Sequence, residues 1–241
     1  MRKFSFVFLS FVICHLSFSV SASAQDIQLH YDFGRNIYTG EEAGRQKVTV
    51  TLEQFKADEW GSWYYFVDVD LSRHFTESAY TEISRELNLG KQSPFAAHVE
   101  YDGGLSRFGS FQQAGLGGVA YNGHNEDFSK TWSVQMLYKQ YFKGGDDTHS
   151  YASAQLTGVW GLNFFDRKLT FSGFIDLWRG EKANGHGCLV VLSEPQLWYN
   201  FTEHFSVGTE WEFSNNFIFN SDPASTKTFF WNPTVAVKWN F

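Results

Sequence analysis

Cysteine, proline, methionine and long apolar runs are all scarce in this chain. Its 241 residues include two cysteines, four prolines and two methionines. One cysteine, Cys14, lies in a leader-like segment at the start. Cys188 alone remains beyond it, so a fold stapled by internal disulfides is excluded. Past the leader no stretch approaches the roughly 18 apolar residues that a membrane helix requires, which excludes a helical membrane protein. Basic residues are also in short supply, 19 against 26 acidic. Removing Arg2 and Lys3 with the leader takes the balance to 17 − 26 = −9. A nucleic-acid partner is not expected on such a surface.

Residues 1–24 read as a secretory signal. Arg2 and Lys3 precede an apolar run from Phe4 to Val20, then Ala22-Ser23-Ala24, so cleavage is expected after Ala24. Ile13 before Cys14, and the downstream small residues, argue against a lipoprotein signal. The expected mature chain, 25–241, forms one domain.

Aromatic residues make up 19% of the chain, yet its mean hydropathy is −0.31. Such a composition needs greasy and polar side chains sorted residue by residue, and alternation does this throughout. In "KLTFSGFIDLW", Leu169, Phe171, Ile175 and Leu177 oppose Thr170, Ser172 and Asp176. In "SWYYFVDVDL", Trp63, Tyr65, Val67, Val69 and Leu71 oppose Ser62, Tyr64, Phe66, Asp68 and Asp70. In "HFSVGTEWEFSN", Phe205, Val207, Trp211 and Phe213 oppose Ser206, Gly208, Glu210, Glu212 and Ser214. Twelve strands are expected, near residues 27–34, 46–56, 62–71, 78–89, 95–103, 112–122, 130–142, 150–162, 168–178, 188–200, 204–214 and 229–241.

Most of these runs exceed the usual strand of about 5 or 6 residues and match the roughly 9 to 11 that cross a bilayer. Odd-numbered connections such as "RNIYTGEEAGR", "KGGDDTH", "RGEKANGHG" and "NNFIFNSDPASTKT" tend to be longer than even-numbered ones such as "ADEWG", "GKQSP" and "FTE". Short periplasmic turns and long external loops have this asymmetry. The expected fold is therefore all-β, a single antiparallel transmembrane β-barrel in the Gram-negative outer membrane, with both termini in the periplasm.

The polar face carries Asp32, Glu53, Asp68, Asp70, Glu82, Glu86, Glu100, Asp102, Asp176, Glu194, Glu210 and Glu212, with Gln135, Lys139, Gln155 and Gln196. In a membrane barrel this face lines the lumen; in a soluble lipocalin-like barrel it would be the solvated exterior. Tryptophans at strand ends, namely Trp132, Trp160, Trp178, Trp231 and Trp239, are assigned to the greasy face as interfacial girdles and favour the membrane. Phe241 is read as closing the last strand in the periplasmic girdle.

A last strand ending on phenylalanine resembles the C-terminal assembly signal of bacterial outer-membrane barrels, which implies the outer-membrane assembly machinery as a partner. The segments "IQLHYDFGR", "AYTEISRELN", "AAHVEYDGG", "LTFSGFIDLWRG", "LSEPQLWYN" and "TEWEFSNNF" resemble an uncharacterised family of outer-membrane proteins of Bacteroides-type bacteria. Through "SGFIDLW", the "KWNF" ending, the strand count and the length, that family is similar to the Tsx-like nucleoside-specific channels. The resemblance implies a narrow, monomeric pore selective for nucleosides. No nucleoside-contact motif matches residue by residue, so no binding residue is carried over from it.

Nucleosides need aromatic faces for stacking and acceptors for sugar hydroxyls. The inward face offers Tyr64, Phe66, Phe174 and Trp198 beside Asp68, Asp70, His98, Glu100, Asp176, Glu194, Gln196 and Glu210. Such an acidic lumen favours cations and disfavours phosphates. Lumenal bases, or Arg35, Arg45 or Arg107 from loops, would oppose this by pairing with the carboxylates and plugging the barrel.

Two positions break the alternation. Pro195 falls inside a strand, where a bulge is expected to absorb its missing N–H and to aim Glu194 and Gln196 into the pore. Arg85 falls on the apolar face, so it either reaches an interface or points inward after a register slip. Other readings are an outer-membrane hydrolase of phospholipase or protease type, built on Asp68 with Asp70, His98 with Glu100 or His30 with Asp32, and a closed structural or adhesive barrel. A His and a carboxylate two apart share a strand face in any polar lumen, and no nucleophile stands at a supporting spacing, so catalysis is not expected. No cofactor is expected. Asp146, Asp147, His149 and His186 could hold a metal, but a solvated loop accounts for them, so no metal is assigned. Outer-membrane lipid and small polar solutes are the remaining expected partners.

Overall fold

A computed structural model describes residues 23–91, 93–144, 149–182 and 185–241. The expected signal segment up to Ala22, and Asp146 and Asp147, lie outside the described residues. Twelve antiparallel strands close into a single barrel. In chain order they are β1 (Ser23–Asp32), β2 (Val48–Asp58), β3 (Gly61–Leu71), β4 (Thr76–Asn88), β5 (Phe95–Ser106), β6 (Ala114–His124), β7 (Lys130–Tyr141) and β8 (Tyr151–Phe164). They continue as β9 (Leu169–Glu181), β10 (Gly187–Ser193 and Gln196–Asn200), β11 (Phe205–Asn215) and β12 (Phe229–Asn240). One helical turn, α1 (Gly34–Ile37), follows β1, and Gly109–Ser110 pairs back onto the end of β5. The seam closes from Asp26 opposite Asn240 to Asp32 opposite Thr234, and the Phe241 amide donates to the Gln25 carbonyl. Closure leaves no free sheet edge, as a membrane requires of strands.

Alternation resolves into an outer and an inner face. Ile27, Leu29, Trp63, Val99, Val134, Met136, Val235 and Val237 are exposed outward, whereas Gln28, His30, Gln135, Lys139, Gln155 and Thr234 are buried inward. A surface that is apolar outside and polar inside is the inverse of a soluble barrel, and it needs lipid around it. Odd-numbered connections include the long segments 33–47 and 216–228, but 72–75 and 182–186 are short because their flanking strands run further than the sequence suggested. β1 likewise begins at Ser23, with Ser23 opposite Lys56 and Ala24 opposite Phe55. Cleavage after Ala24 would remove only those two paired positions.

Three local expectations are settled by register. Trp178 does not belong to the outer girdle. Strict alternation from Leu177 turns it inward, where it is 8% exposed and packs with Val190 and Leu192. Trp132, Trp160, Trp231 and Trp239 share the parity of the lipid-facing residues, Trp132 lying opposite Trp160. Pro195 interrupts β10 without a bulge: Ile175 opposes Ser193 and Ser172 opposes Gln196, so no residue is inserted. Gly173, at φ +148, makes room for the proline. A Cβ there would lie 2.5 Å from the Glu194 carbonyl oxygen and 2.8 Å from the Pro195 Cα. Glu194 and Gln196 therefore face inward by ordinary alternation. Arg85 stays on the outer face near the short-turn end, its Nη2 donating to Asp58 Oδ1 at 2.9 Å and its guanidinium lying 5.0 Å from the Trp63 ring centroid.

Candidate functional site

The lumen has two unlike walls. Along β1 and β10–β12 a block of inward side chains is closed to solvent, while Glu194, Gln196, Glu210 and Lys238 on the same strands stay partly exposed. Trp198, Phe230 and Asn232 are 0% exposed and Gln28 1%. Lys238 Nζ lies 4.1 Å from the Trp198 ring centroid, the His30 ring meets its edge at 6.1 Å, and Trp198 Nε1 donates to Gln196 Oε1 at 2.9 Å. Trp198 is thus inward, as expected, but covered on this wall and closed to stacking on a solute.

The wall formed by β2–β4 is half-open. None of Tyr64, Phe66, Asp68, Asp70, Tyr80 or Glu82 is buried. Tyr64, Phe66, Tyr80 and Phe111 form a file of rings at successive centroid distances of 6.2, 6.0 and 6.3 Å. The carboxylates beside this file are held by hydroxyls. Thr49 Oγ1 and Ser78 Oγ each donate to Asp70 at 2.7 Å, Thr51 Oγ1 donates to Asp68, and Tyr80 donates to Glu82 at 2.9 Å. Elsewhere in the lumen Thr157 donates to Asp176, and Gln196 donates to Glu210 at 2.6 Å. Hydroxyl and amide donors satisfy a carboxylate oxygen without cancelling its charge. Among the described residues, none of Asp68, Asp70, Glu82, Asp176, Glu194 and Glu210 forms an ion pair.

Besides Lys238, two cations among the described residues reach lumenal carboxylates. Lys139 on β7 reaches Asp102 Oδ2 and Gln155 Oε1, both at 2.9 Å, and lies 5.0 Å from the ring centroid of Trp178. At the long-loop end, the segment 33–47 tucks into the mouth. Arg45 Nη2 lies 2.9 Å from both Asp32 Oδ2 and Glu212 Oε2, and Asn232 donates to Glu42 Oε1 at 2.8 Å and to Glu212 Oε1 at 3.0 Å. A Cβ at position 34 would lie 2.5 Å from Asn232 Oδ1 and 2.7 Å from Glu42 Oε2, so a larger residue would have to displace these clasp side chains. The 216–228 loop covers this clasp, with the Ser221 amide donating to the Glu41 carbonyl at 2.8 Å. Burial pushes the Glu42 carboxyl above its ordinary range, further than Arg45 and Asn232 pull it back. Burial alone would weaken the Arg45 charge, but Glu212 and Asp32 outweigh it and hold the guanidinium ionised.

The other expected loop bases stay outside: Arg107 pairs with Glu77, and Arg35 is exposed. His149 pairs with Glu181 at the rim. Both lumenal histidines are held by neighbours on the inner face. His98 is clamped by Glu86 at 3.2 Å and Glu100 at 3.1 Å, so both ring nitrogens face carboxylates. His30 meets Thr234 and Gln28, while its strand neighbour Asp32 is taken by Arg45. Cys188 faces inward beside the Trp178 cluster. Register brings Asp68 and Asp70 together with Tyr64 and Phe66 as the alternation predicted. Phe174, Asp176, Glu194, Gln196 and Glu210 also face inward, but on other strands. The Arg45 clasp and the Lys139–Asp102 pair join residues far apart in sequence, and no local signal announces them.

The chain belongs to the family described as "Domain of unknown function (DUF5020)". That family's model matches residues 24–241. No curated protein matches the chain. Among solved structures it is similar to the NanC porin, at 11% identity over 90% of this chain and 100% of that one, with a TM-score of 0.59. It also matches the KdgM porin in complex with disordered oligogalacturonate, at 12% identity over 90% and 99% of the two chains, with a TM-score of 0.49. LpxR from Salmonella typhimurium matches at 9% identity over 90% and 100%, also with a TM-score of 0.49. The likeness to NanC is one of fold. With the apolar outer belt, it places the chain in the outer membrane as a transmembrane β-barrel.

Proposed function

We propose that this barrel is a narrow, selective channel that passes small polar solutes, neutral or cationic, with nucleosides among them. The observation that supports it best is the half-open β2–β4 wall, where rings stand beside Asp68 and Asp70, carboxylates that hydroxyls satisfy and no cation neutralises. Carboxylates with uncancelled charge in a low-dielectric tube attract cations, accept hydrogen bonds from sugar hydroxyls, and repel phosphates. The file from Tyr64 to Phe111 gives a flat base a continuous apolar track. The nucleoside part of the reading rests on the sequence resemblance and on this ring-and-carboxylate chemistry. In the same reading the leader is removed after Ala24, Phe241 serves assembly, and the barrel acts as a monomer without catalysis.

The test is uptake into liposomes carrying the purified, refolded chain. Labelled nucleosides, nucleotides, sugars and amino acids are each competed against the others. Entry of nucleosides well above nucleotides is the expected result. Entry of no solute faster than into empty liposomes would overturn the channel, and equal entry of nucleotides would overturn the role given to the acidic wall.

A further inference from the structure

The lumen holds one carboxylate cluster whose geometry differs from the hydroxyl-bound acids around it. Glu82 on β4 lies opposite Asp102 on β5, and Glu100 lies two residues along the same inner face. One carboxylate oxygen from each of the three comes within 4.8 Å of the others. Each carboxylate also has a partner outside the three: Tyr80 donates to Glu82 Oε1, His98 meets Glu100 Oε2, and Lys139 meets Asp102 Oδ2. A second observation sets the site apart from an ordinary acidic cluster. Asp102 is only 5% exposed, yet its Oδ1 has no hydrogen-bond partner. A carboxyl oxygen buried without a partner is unfavourable until a proton or a cation meets it. Lys139 is already committed to the other oxygen and to Gln155.

We infer that Glu82, Glu100 and Asp102 bind a hard divalent cation, Ca²⁺ in the first instance, on the inner wall of the barrel. The donors are all oxygen, which suits Ca²⁺ or Mg²⁺ and not a thiolate- or imidazole-seeking metal. Three oxygens at the 4.8 Å limit stand about 2.8 Å from a common centre, so a small inward shift of the side chains brings all of them to the 2.3–2.6 Å of Ca²⁺–oxygen bonds. Mg²⁺ demands a tighter octahedron, so it binds more weakly here. The contacts of Tyr80, His98 and Lys139 fix the carboxylates in place, as outer partners of metal ligands do. The bound ion neutralises the cluster and ties β4 to β5 from within the lumen. The inference does not depend on which solute passes the barrel, or on whether any does.

The experiment titrates the refolded full-length barrel in detergent with Tb³⁺, reading luminescence sensitised by nearby tyrosine, and then displaces it with Ca²⁺ and Mg²⁺. One saturable site per chain is expected, with Ca²⁺ displacing Tb³⁺ at lower concentration than Mg²⁺. Glu82→Gln and Asp102→Asn should each weaken it at least about tenfold, the loss of one charged ligand, while Asp26→Asn, at the far end of the lumen, leaves it intact. Heat-dependent gel migration checks that each variant is folded. If Asp102→Asn fails to fold, Glu100→Gln carries the same prediction. Absence of a saturable site, or a site that survives both Glu82→Gln and Glu100→Gln in folded barrels, overturns the inference.

Discussion

The wall made by β1 and β10–β12 and the wall made by β2–β4 arise from the same alternating pattern, yet they fill the lumen in opposite ways. On the first, Trp198, His30 and Lys238 interlock, and Arg45 reaches in from the 33–47 segment to join Asp32 to Glu212. On the second, side chains of similar polarity stand half-open, and their carboxylates are met by Thr49, Thr51 and Ser78. The difference lies in what faces each acid. On the first wall the Arg45 guanidinium settles the charge of Asp32 and Glu212 and the Trp198 indole fills space, although Glu194 and Glu210 there form no ion pair; on the second, hydroxyls settle hydrogen bonds and leave the charge in force. One wall therefore supplies stability and the other supplies the chemistry a solute meets.

That contrast can be broken at five points, the largest loss of stability being expected at Trp198. Trp198→Ala empties the centre of the sealed wall and is expected to cost about 3–5 kcal/mol, read as a lower temperature for the heat-dependent gel shift. Phe66→Ala on the open wall should cost only about 1 kcal/mol, since its ring is half-exposed already, but should slow nucleoside uptake. An equal loss of stability at both positions would erase the distinction between the walls. Arg45→Ala leaves Asp32 and Glu212 facing each other without a cation. Breaking buried pairs costs about 3–5 kcal/mol, and the partial exposure of Arg45 puts the expected loss at the lower end. Single-channel conductance should rise in the same variant as the mouth loosens.

The paired change Asp68→Asn with Asp70→Asn keeps the hydroxyl contacts and should alter stability by less than about 1 kcal/mol. Cation preference in a planar bilayer should fall about tenfold, because the charge and not the hydrogen bonding is removed. The smallest effect belongs to Glu42→Gln. Burial raises the Glu42 carboxyl in the folded barrel above its ordinary value of 4.5, so the folded state holds that proton to higher pH than the unfolded chain. Its contribution is then fully present below the ordinary value and is lost as pH rises through the folded one. Glu42→Gln should flatten this dependence and match or slightly exceed the parent in gel-shift temperature at neutral pH; a clear loss there would contradict the assigned direction.

Much of this architecture was legible in the sequence, because a period of two over runs of ten or more residues fixes both strand and face. Val67, Asp68, Val69 and Asp70 sort themselves without knowledge of any neighbour. Trp178 was misplaced by weighing its residue type above its parity, and Leu177 before it already decided the matter. Pro195 suggested a bulge since a proline removes a ladder bond, but Gly173 across the ladder accommodates it with register intact. Which cation meets which acid was not legible at all. Lys139 reaches Asp102 across β6, and Arg45 reaches Glu212 across the seam, and both depend on strand stagger and loop path, for which the chain carries no local signal. The grouping of Glu82, Glu100 and Asp102 likewise follows from the β4–β5 register, which the alternation alone leaves free.

The most direct test of the account is the reversal potential of the reconstituted barrel in a planar bilayer under a KCl gradient. An open acidic wall predicts conductance with clear preference for K⁺ over Cl⁻. Anion preference, or no conductance from a correctly folded and inserted barrel, would contradict it.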